Sequence, residues 1–238
     1  MSDNPKISIL LPCLNEEEAI KPCLDSLSAI VGKEKLDTEV IVIDNGSEDN
    51  SQKVVKSFSE KIPYLRIVSE KERGYGNAYQ KGIDFAKGEI IVMADIDRTY
   101  NFKDITKLIT EIDNGADFVI GNRFTGGMKR DAMVWHHKFI GNPGLSYLVR
   151  LFFGTGVRDV HCGLRAITRE SLDKLNLQTA GMEFASEMVI KAVRDKLKIS
   201  EVDISYHPRT GDSKLKSFSD GWRHLRFMLL YSPYFSYF

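Results

Sequence analysis

The sequence predicts an α/β fold in which a mostly parallel sheet carries helices on both faces. Three observations lead there. Short apolar runs alternate with segments of helical periodicity through the first half of the chain. The runs are continuous rather than alternating, as in strands buried on both faces. Polar residues stand directly after the runs, at the strand ends where sheets of this class hold ligands: Asn15, Asp44, Asp95, Asp97, Asn122 and Arg123.

In chain order, residues 7–12 (ISILLP) form an apolar run ending at a turn. Asn15 follows as an expected helix N-cap, with Glu18 three residues on in capping-box spacing. Ile20, Leu24, Leu27 and Val31 continue at helical intervals. Residues 39–47 (EVIVIDNGS) read as a second strand with a polar turn, and 49–58 as a helix with Val54, Val55 and Phe58 inward. Residues 65–68 give a third strand, 76–86 a helix, and 89–95 (EIIVMAD) a fourth strand. A helix over 102–114 and a fifth strand over 117–122 (DFVIGN) follow. The second half is less regular. Residues 126–156 are rich in Gly, Lys, Arg and His around one apolar helical piece, 145–153. Residues 183–196 read as a helix, 199–207 as a strand, and 217–231 as a helix carrying Trp222, Leu225, Met228 and Leu229.

A chain of 238 residues suits one domain with at most a short appendage, and neither repeats nor a linker divide it. Its net charge of zero argues against a nucleic-acid partner. Cys13, Cys23 and Cys162 form neither a disulfide framework nor a metal-ligand spacing, which points to a reducing compartment. No signal peptide precedes the first strand, and no apolar stretch reaches the roughly 18 to 20 residues of a membrane span. Residues 227–238 (FMLLYSPYFSYF) carry no charge, so this end is expected to rest on something or to lead into a membrane segment.

Asp95 and Asp97 carry the strongest local signal. Two carboxylates one residue apart after a buried strand can share a hard divalent cation whose other ligands are diphosphate oxygens. A solvated acidic turn is the plainer reading. Asp44 can accept a hydrogen bond from a base N–H, or it can simply shape the turn DNGSED. Arg73–Ala78 (RGYGNA) opens a helix with glycines that would let backbone N–H groups approach an anion, though it fails as a dinucleotide fingerprint. The pairs His136–His137 and His161–Cys162 do not project together as zinc ligands would. Arg209 and Lys214 bracket a Gly-containing loop, with Lys216, Arg223 and Arg226 beyond it. This is either a solvated basic surface or a phosphate clamp near a membrane.

The ordered set P-x-L-N-E (12–16), D-N-G-S (44–47), R-G-x-G-x-A (73–78), D-x-D (95–97), G-N-R (121–123), D-x-H-C-G-L-R (159–165), G-M-E-F-A-S-E (181–187) and R-x-G-x-S-K (209–214) covers nearly the whole chain. It resembles the family 2 inverting glycosyltransferases, and among them the dolichyl- or polyprenyl-phosphate sugar synthases. The resemblance implies a GT-A, Rossmann-like fold, Mg²⁺ or Mn²⁺, a nucleotide-sugar donor, and a polyprenyl or dolichyl phosphate acceptor at the cytoplasmic face of a membrane. It implies a catalytic domain over 1–215 and a membrane-proximal, basic and aromatic helix over 216–238. Asp95 and Asp97 would hold the metal. Pro12, Asn15, Glu16, Asp44, Gly46, Ser47, Arg73, Gly76 and Asp95 would bind the donor. Arg123, His137, Lys138, Arg209, Ser213 and Lys214 would face the acceptor phosphate, with Asp95, Asp97, Arg123, Arg209 and Lys214 serving the transfer itself. Asp159, Glu183 and Glu187 stand as base or structural residues.

After the D-x-D stand Arg98, Thr99, Tyr100 and Asn101 in place of the Gln and His-Pro of the mannosyl branch. That departure resembles the glucosyl or N-acetylhexosaminyl branch and implies a UDP-linked donor. A phosphate monoester acceptor is already largely dianionic at neutral pH, so it needs cations around it more than a strong base. Three alternatives stay open: a mannose synthase using GDP-mannose, a transferase acting on a soluble hydroxyl with Asp159 as base, and a sugar-nucleotide-binding scaffold subunit. A homo-oligomer stays open as well.

Overall fold

The computed structural model describes residues 5–59, 62–211 and 217–232, without the side chains of 217–220. Seven strands, β1 (Ile7–Cys13), β2 (Thr38–Asp44), β3 (Leu65–Ser69), β4 (Ile90–Met93), β5 (Phe118–Asn122), β6 (Arg165–Thr168) and β7 (Ile199–Asp203), form one sheet in the order β3-β2-β1-β4-β6-β5-β7. β3, β2, β1 and β4 run parallel, as expected from their continuous apolar runs. β6 was not expected. It lies antiparallel between β4 and β5, while β7 pairs parallel with β5. Ile9, Leu10 and Leu11 of β1 and Ile91 and Val92 of β4 are fully buried, so the middle of the sheet is the core.

Among the described residues eight α-helices cover the sheet: α1 (Glu17–Glu34), α2 (Ser51–Ser59), α3 (Tyr75–Phe85), α4 (Ile105–Asp113), α5 (Asn142–Phe153), α6 (Arg169–Leu175), α7 (Phe184–Arg194) and α8 (Ser217–Tyr231). A 3₁₀ turn (Phe102–Asp104) leads into α4, and a π turn (His137–Gly141) leads into α5, which starts before the apolar piece that announced it. The expected N-cap of α1 is corrected. Asn15 adopts a left-handed φ of 53°, its Oδ1 accepts from Glu48 N–H at 2.7 Å, and α1 begins at Glu17 without a side-chain cap. Asn15 ties two loops together instead of starting a helix. The strand expected over 199–207 ends at Asp203, because Ile204 N–H turns back to Asn122 O and Tyr206 bridges to Tyr100. Within the 216–238 segment expected to lie next to a membrane, α8 packs on the main core through Phe227 and Met228. Ser213, Lys214, Lys216 and residues 233–238 lie outside the described residues.

Parallel register sets the position of the site. Cys13 pairs with Asp44 and Asp44 with Ser69, while β4 ends one residue before Ala94. Because β6 is antiparallel to both of its neighbours, β5 runs parallel to β4. Arg123 therefore emerges at the same sheet edge as Asp44, Asp95 and Asp97.

Candidate active site

Three loops meet over this edge. Asn15 N–H donates to Ser47 Oγ at 3.0 Å, and Ser47 N–H reaches Asp44 Oδ1 at 3.4 Å. Arg73 donates to Gly46 O at 3.2 Å and pairs with Glu48, so the 12–16, 44–47 and 73–76 segments form one wall. Asp44 is buried and its Oδ2 accepts from Gln52 Nε2 at 2.7 Å. Gln52, on α2, thus fixes the carboxylate expected to read the base.

The glycines at the start of α3 serve packing rather than an anion cradle. A Cβ on Gly76 would lie 1.9 Å from Thr179 O, and Asn77 N–H donates to Ala180 O at 3.2 Å. The α3 N-terminus is therefore occupied by the 179–181 chain. That approach delivers Tyr75, whose hydroxyl stands 3.4 Å from Asp95 Oδ1. Tyr75 meets Tyr79 edge-on at 4.9 Å, and Tyr79 stacks on Phe184 of α7 at 5.5 Å. Burial pushes the Tyr75 phenol upward, so it stays a donor at neutral pH.

Asp95 and Asp97 sit differently. Asp97 Oδ1 accepts from Thr99 N–H at 3.0 Å and from Thr99 Oγ1 at 2.6 Å, and its Oδ2 lies 3.5 Å from Arg209 Nη2. Arg209 also donates to Glu16 Oε1 at 2.7 Å. The 207–210 chain follows the D-x-D backbone, with His207 N–H on Thr99 O and Thr210 N–H on Asp97 O. Arg209, expected on the acceptor side, therefore faces the carboxylates expected to hold a metal. Among the described residues Asp95 takes only the long hydrogen bond from Tyr75. Burial, and next the charge of Asp97, push its carboxyl up to about 7. Gly163 leaves it room, because a Cβ there would lie 2.6 Å from Asp95 Oδ2. The pair fits a hard divalent cation: its donors are carboxylate oxygens alone, and among the described residues no cation forms a salt bridge with Asp95, although Arg209 and Arg123 lie near enough to oppose the rise. No group of three or more His, Cys, Asp or Glu ligands occurs among the described residues, so a metal here would need oxygens from a diphosphate or water.

Arg123 is clamped. It is buried and donates from Nε to Asp159 Oδ2 at 2.8 Å and from Nη2 to Oδ1 at 2.7 Å, while its backbone N–H adds a third bond at 3.0 Å. Its guanidinium also lies over the Tyr206 ring. Asp159 is fully buried in this bidentate pair, which makes it structural and not a free base. Glu187 is structural too. It takes Gln178 N–H, Thr179 N–H and Thr179 Oγ1, and pairs with Lys191 at 2.7 Å. Glu183 lines a cavity of about 360 Å³ together with Arg73, Arg223 and Arg226.

A larger cavity, about 610 Å³, is reached from Asp95 through Tyr75, which lines it. Tyr75, Arg123 and His137 give it polar walls; Leu145, Leu148 and Met182 are among its apolar ones. His161 and His224 line it as well. Lys138 is outside this lining and lies against Phe139. Tyr75, Gln52 and His224 are residues that the sequence did not single out, and Gly163 and Ser186 entered only inside longer motifs. For Tyr75 a signal was present, an aromatic between the two glycines of R-G-x-G.

A family model described as Glycosyl transferase family 2 matches residues 8–175. A low-salt glycan biosynthesis hexosyltransferase of Haloferax volcanii is 36% identical over 231 residues, covering 96% of this chain and 54% of the relative. A dolichyl-phosphate beta-glucosyltransferase of Trichomonas vaginalis is 28% identical over 223 residues, covering 88% and 66%. The chain thus spans little more than half of the first of these relatives. Among solved structures, glucosyl-3-phosphoglycerate synthase from Mycobacterium tuberculosis, in complex with Mn²⁺, uridine diphosphate and glucosyl-3-phosphoglycerate, superposes with a TM-score of 0.75 at 22% identity, covering 96% of this chain and 80% of that one. This likeness is one of fold: the sheet and its helices form a GT-A architecture.

Proposed function

The chain belongs to glycosyl transferase family 2, and we propose that it moves a hexose or N-acetylhexosamine from a UDP-linked donor to a polyprenyl or dolichyl phosphate at the cytoplasmic face of a membrane. The observation that carries this reading is the larger cavity, linked to Asp95 through Tyr75: with Leu145 and Leu148 beside Arg123 and His137 in its lining, it suits an acceptor with a charged head and a hydrocarbon tail. Relatives named for dolichyl-phosphate hexose transfer support it.

The wall of residues 12–16, 44–47 and 73–76 would hold the nucleotide, with Asp44 on the base. Mg²⁺ or Mn²⁺ on Asp95 and Asp97 would offset the charge that grows on the leaving diphosphate. Arg209, steadied by Glu16, adds positive charge on the same side. Tyr75, kept protonated, can donate to an oxygen near Asp95. With Asp159 committed to Arg123, a hydroxyl acceptor would lack its candidate base, whereas a phosphate dianion attacks without one. Attachment to the membrane draws support from Trp135, Phe139, Ile140 and Tyr147, which stand more than half exposed around the π turn and α5.

The test supplies labelled UDP-glucose, UDP-N-acetylglucosamine and GDP-mannose with a short polyprenyl phosphate. Label extracted into the organic phase from a uridine donor is expected. Water-soluble product would overturn the lipid acceptor, and preference for GDP-mannose would overturn the uridine donor.

A further inference from the structure

His161 and His224, which line the larger cavity, belong to a polar relay that the reaction leaves unused. His161 Nε2 lies 3.0 Å from Ser186 Oγ on α7, and Ser186 Oγ lies 2.8 Å from His224 Nδ1 on α8. The two rings meet edge-on with centroids 4.5 Å apart. Ser186 and His224 are buried. The other ring nitrogen of His161, Nδ1, is also buried, and among the described residues it has no hydrogen-bond partner. Such an orphan atom costs a ligand-free fold stability.

The ring is not needed to pin its own segment. Arg123 holds Asp159, Ser146 Oγ accepts from Val160 N–H at 3.2 Å, and Tyr100 Oη accepts from Gly163 N–H at 2.7 Å. Burial pushes both imidazoles below their ordinary range, His224 to about 4, so each is neutral and carries a single N–H. Three groups with one proton each form a chain with a direction. In one direction His224 Nδ1–H donates to Ser186, Ser186 O–H donates to His161 Nε2, and His161 Nδ1–H is left as a donor. In the other, Nδ1 is a bare acceptor. A phosphate in this cavity is an anion, and an anion selects the donor direction.

We propose that His161, oriented by Ser186 and His224, donates from Nδ1 to an oxygen of the acceptor phosphate. Ser186 and His224 are then positioning residues that act through it. The inference rests on the phosphate-acceptor reading above.

The test is ¹⁵N NMR of the histidine-labelled protein, with the His161 signals assigned by their loss in H161Q and, independently, in H161N. Citronellyl phosphate and inorganic phosphate should each move the Nδ1 resonance saturably, and citronellol should not. A resonance that neither phosphate moves overturns the inference, whatever the enzyme turns over. Kinetics supply a second arm. H161Q keeps a group near Nε2 and loses the one at Nδ1, so it should raise the acceptor KM about ten- to a hundredfold with the donor KM unchanged. H161N, which keeps a donor near Nδ1, should recover part of that loss. An acceptor KM unchanged in H161Q also overturns the inference. Failure of the unaltered protein to glycosylate citronellyl phosphate counts against the acceptor reading, and the NMR result still decides the role of His161.

Discussion

Two aspartates one residue apart have different surroundings, and the difference can be measured. Asp97 is held by Thr99 and approached by Arg209, whereas Asp95 is pushed up to about 7 by burial and by Asp97. A carboxyl with a raised folded pKa favours the folded state most when protonated. Its contribution is full below the ordinary carboxylate range and is lost as pH rises through about 7. Melts of metal-free protein should therefore fall in temperature between about pH 4 and about pH 7, over and above other titrations, and D95N should flatten that slope. A slope unchanged in D95N would remove Asp95 as its source. Mn²⁺ must displace the proton, so its affinity, read by calorimetry, should rise with pH across the same window. D97N should lower turnover at least about a hundredfold, on the scale of losing a major electrostatic element. Full activity in the presence of chelator would show that the pair serves no metal.

Arg123 and Asp159 join the end of β5 to the segment before β6, and their pairing is an element-scale constraint. R123M would leave a fully buried carboxylate without its cation, a change that costs about 3–5 kcal/mol. For a chain of this length the melting temperature should drop on the order of 10 °C. R123M/D159L should recover much of it, since neither buried charge remains; a double variant as unstable as the single one would show that the pair does more than neutralise itself. G76A should act on packing between α3 and the 179–181 chain, because its Cβ meets Thr179 O, and should be detected as lost stability together with displaced Tyr75. These contacts mark where the sequence stopped being legible. β1, β2 and β4 could be read because buried parallel strands are continuously apolar, and the residues after them could be named because ligands gather at those ends. β6 could not, since it is four residues long and opens with Arg165, whose charge hides the fact that its guanidinium is buried on the carbonyls of Val160, Cys162 and Ala185. Asp159 could be read as a base because nothing local reveals a partner 36 residues earlier in the chain. Likewise His161, Ser186 and His224 meet only once α7 and α8 pack together.

At the scale of the whole molecule, charge and exposure are distributed unevenly. The strand-end wall and D-x-D are polar, whereas the π turn and α5 expose Trp135, Phe139, Ile140, Tyr147 and Leu151 at 55 to 69% of their surface, and α8 exposes Trp222 and Leu230 at 63 and 68%. Large apolar side chains this exposed on neighbouring elements need a partner, and Lys138 and Arg150 lie in sequence among them. No helix among the described residues is long and apolar enough to cross a membrane, so attachment through this face would be interfacial, with aromatic rings and cations at the level of the headgroups. The larger cavity includes Ile140 and Tyr147 in its lining, so a surface that seats these residues in lipid would also present the cavity to a lipid-borne acceptor. W135S/F139S should then reduce flotation with vesicles containing anionic lipid, and the loss should be partly masked at low salt, where cations contribute more. Turnover of a long polyprenyl phosphate in vesicles should fall with flotation, while turnover of a short, water-dispersed acceptor should hold within a few-fold. Equal loss with both acceptors would assign these residues to the cavity and not to the membrane, and undiminished flotation would move the attachment to another part of the chain.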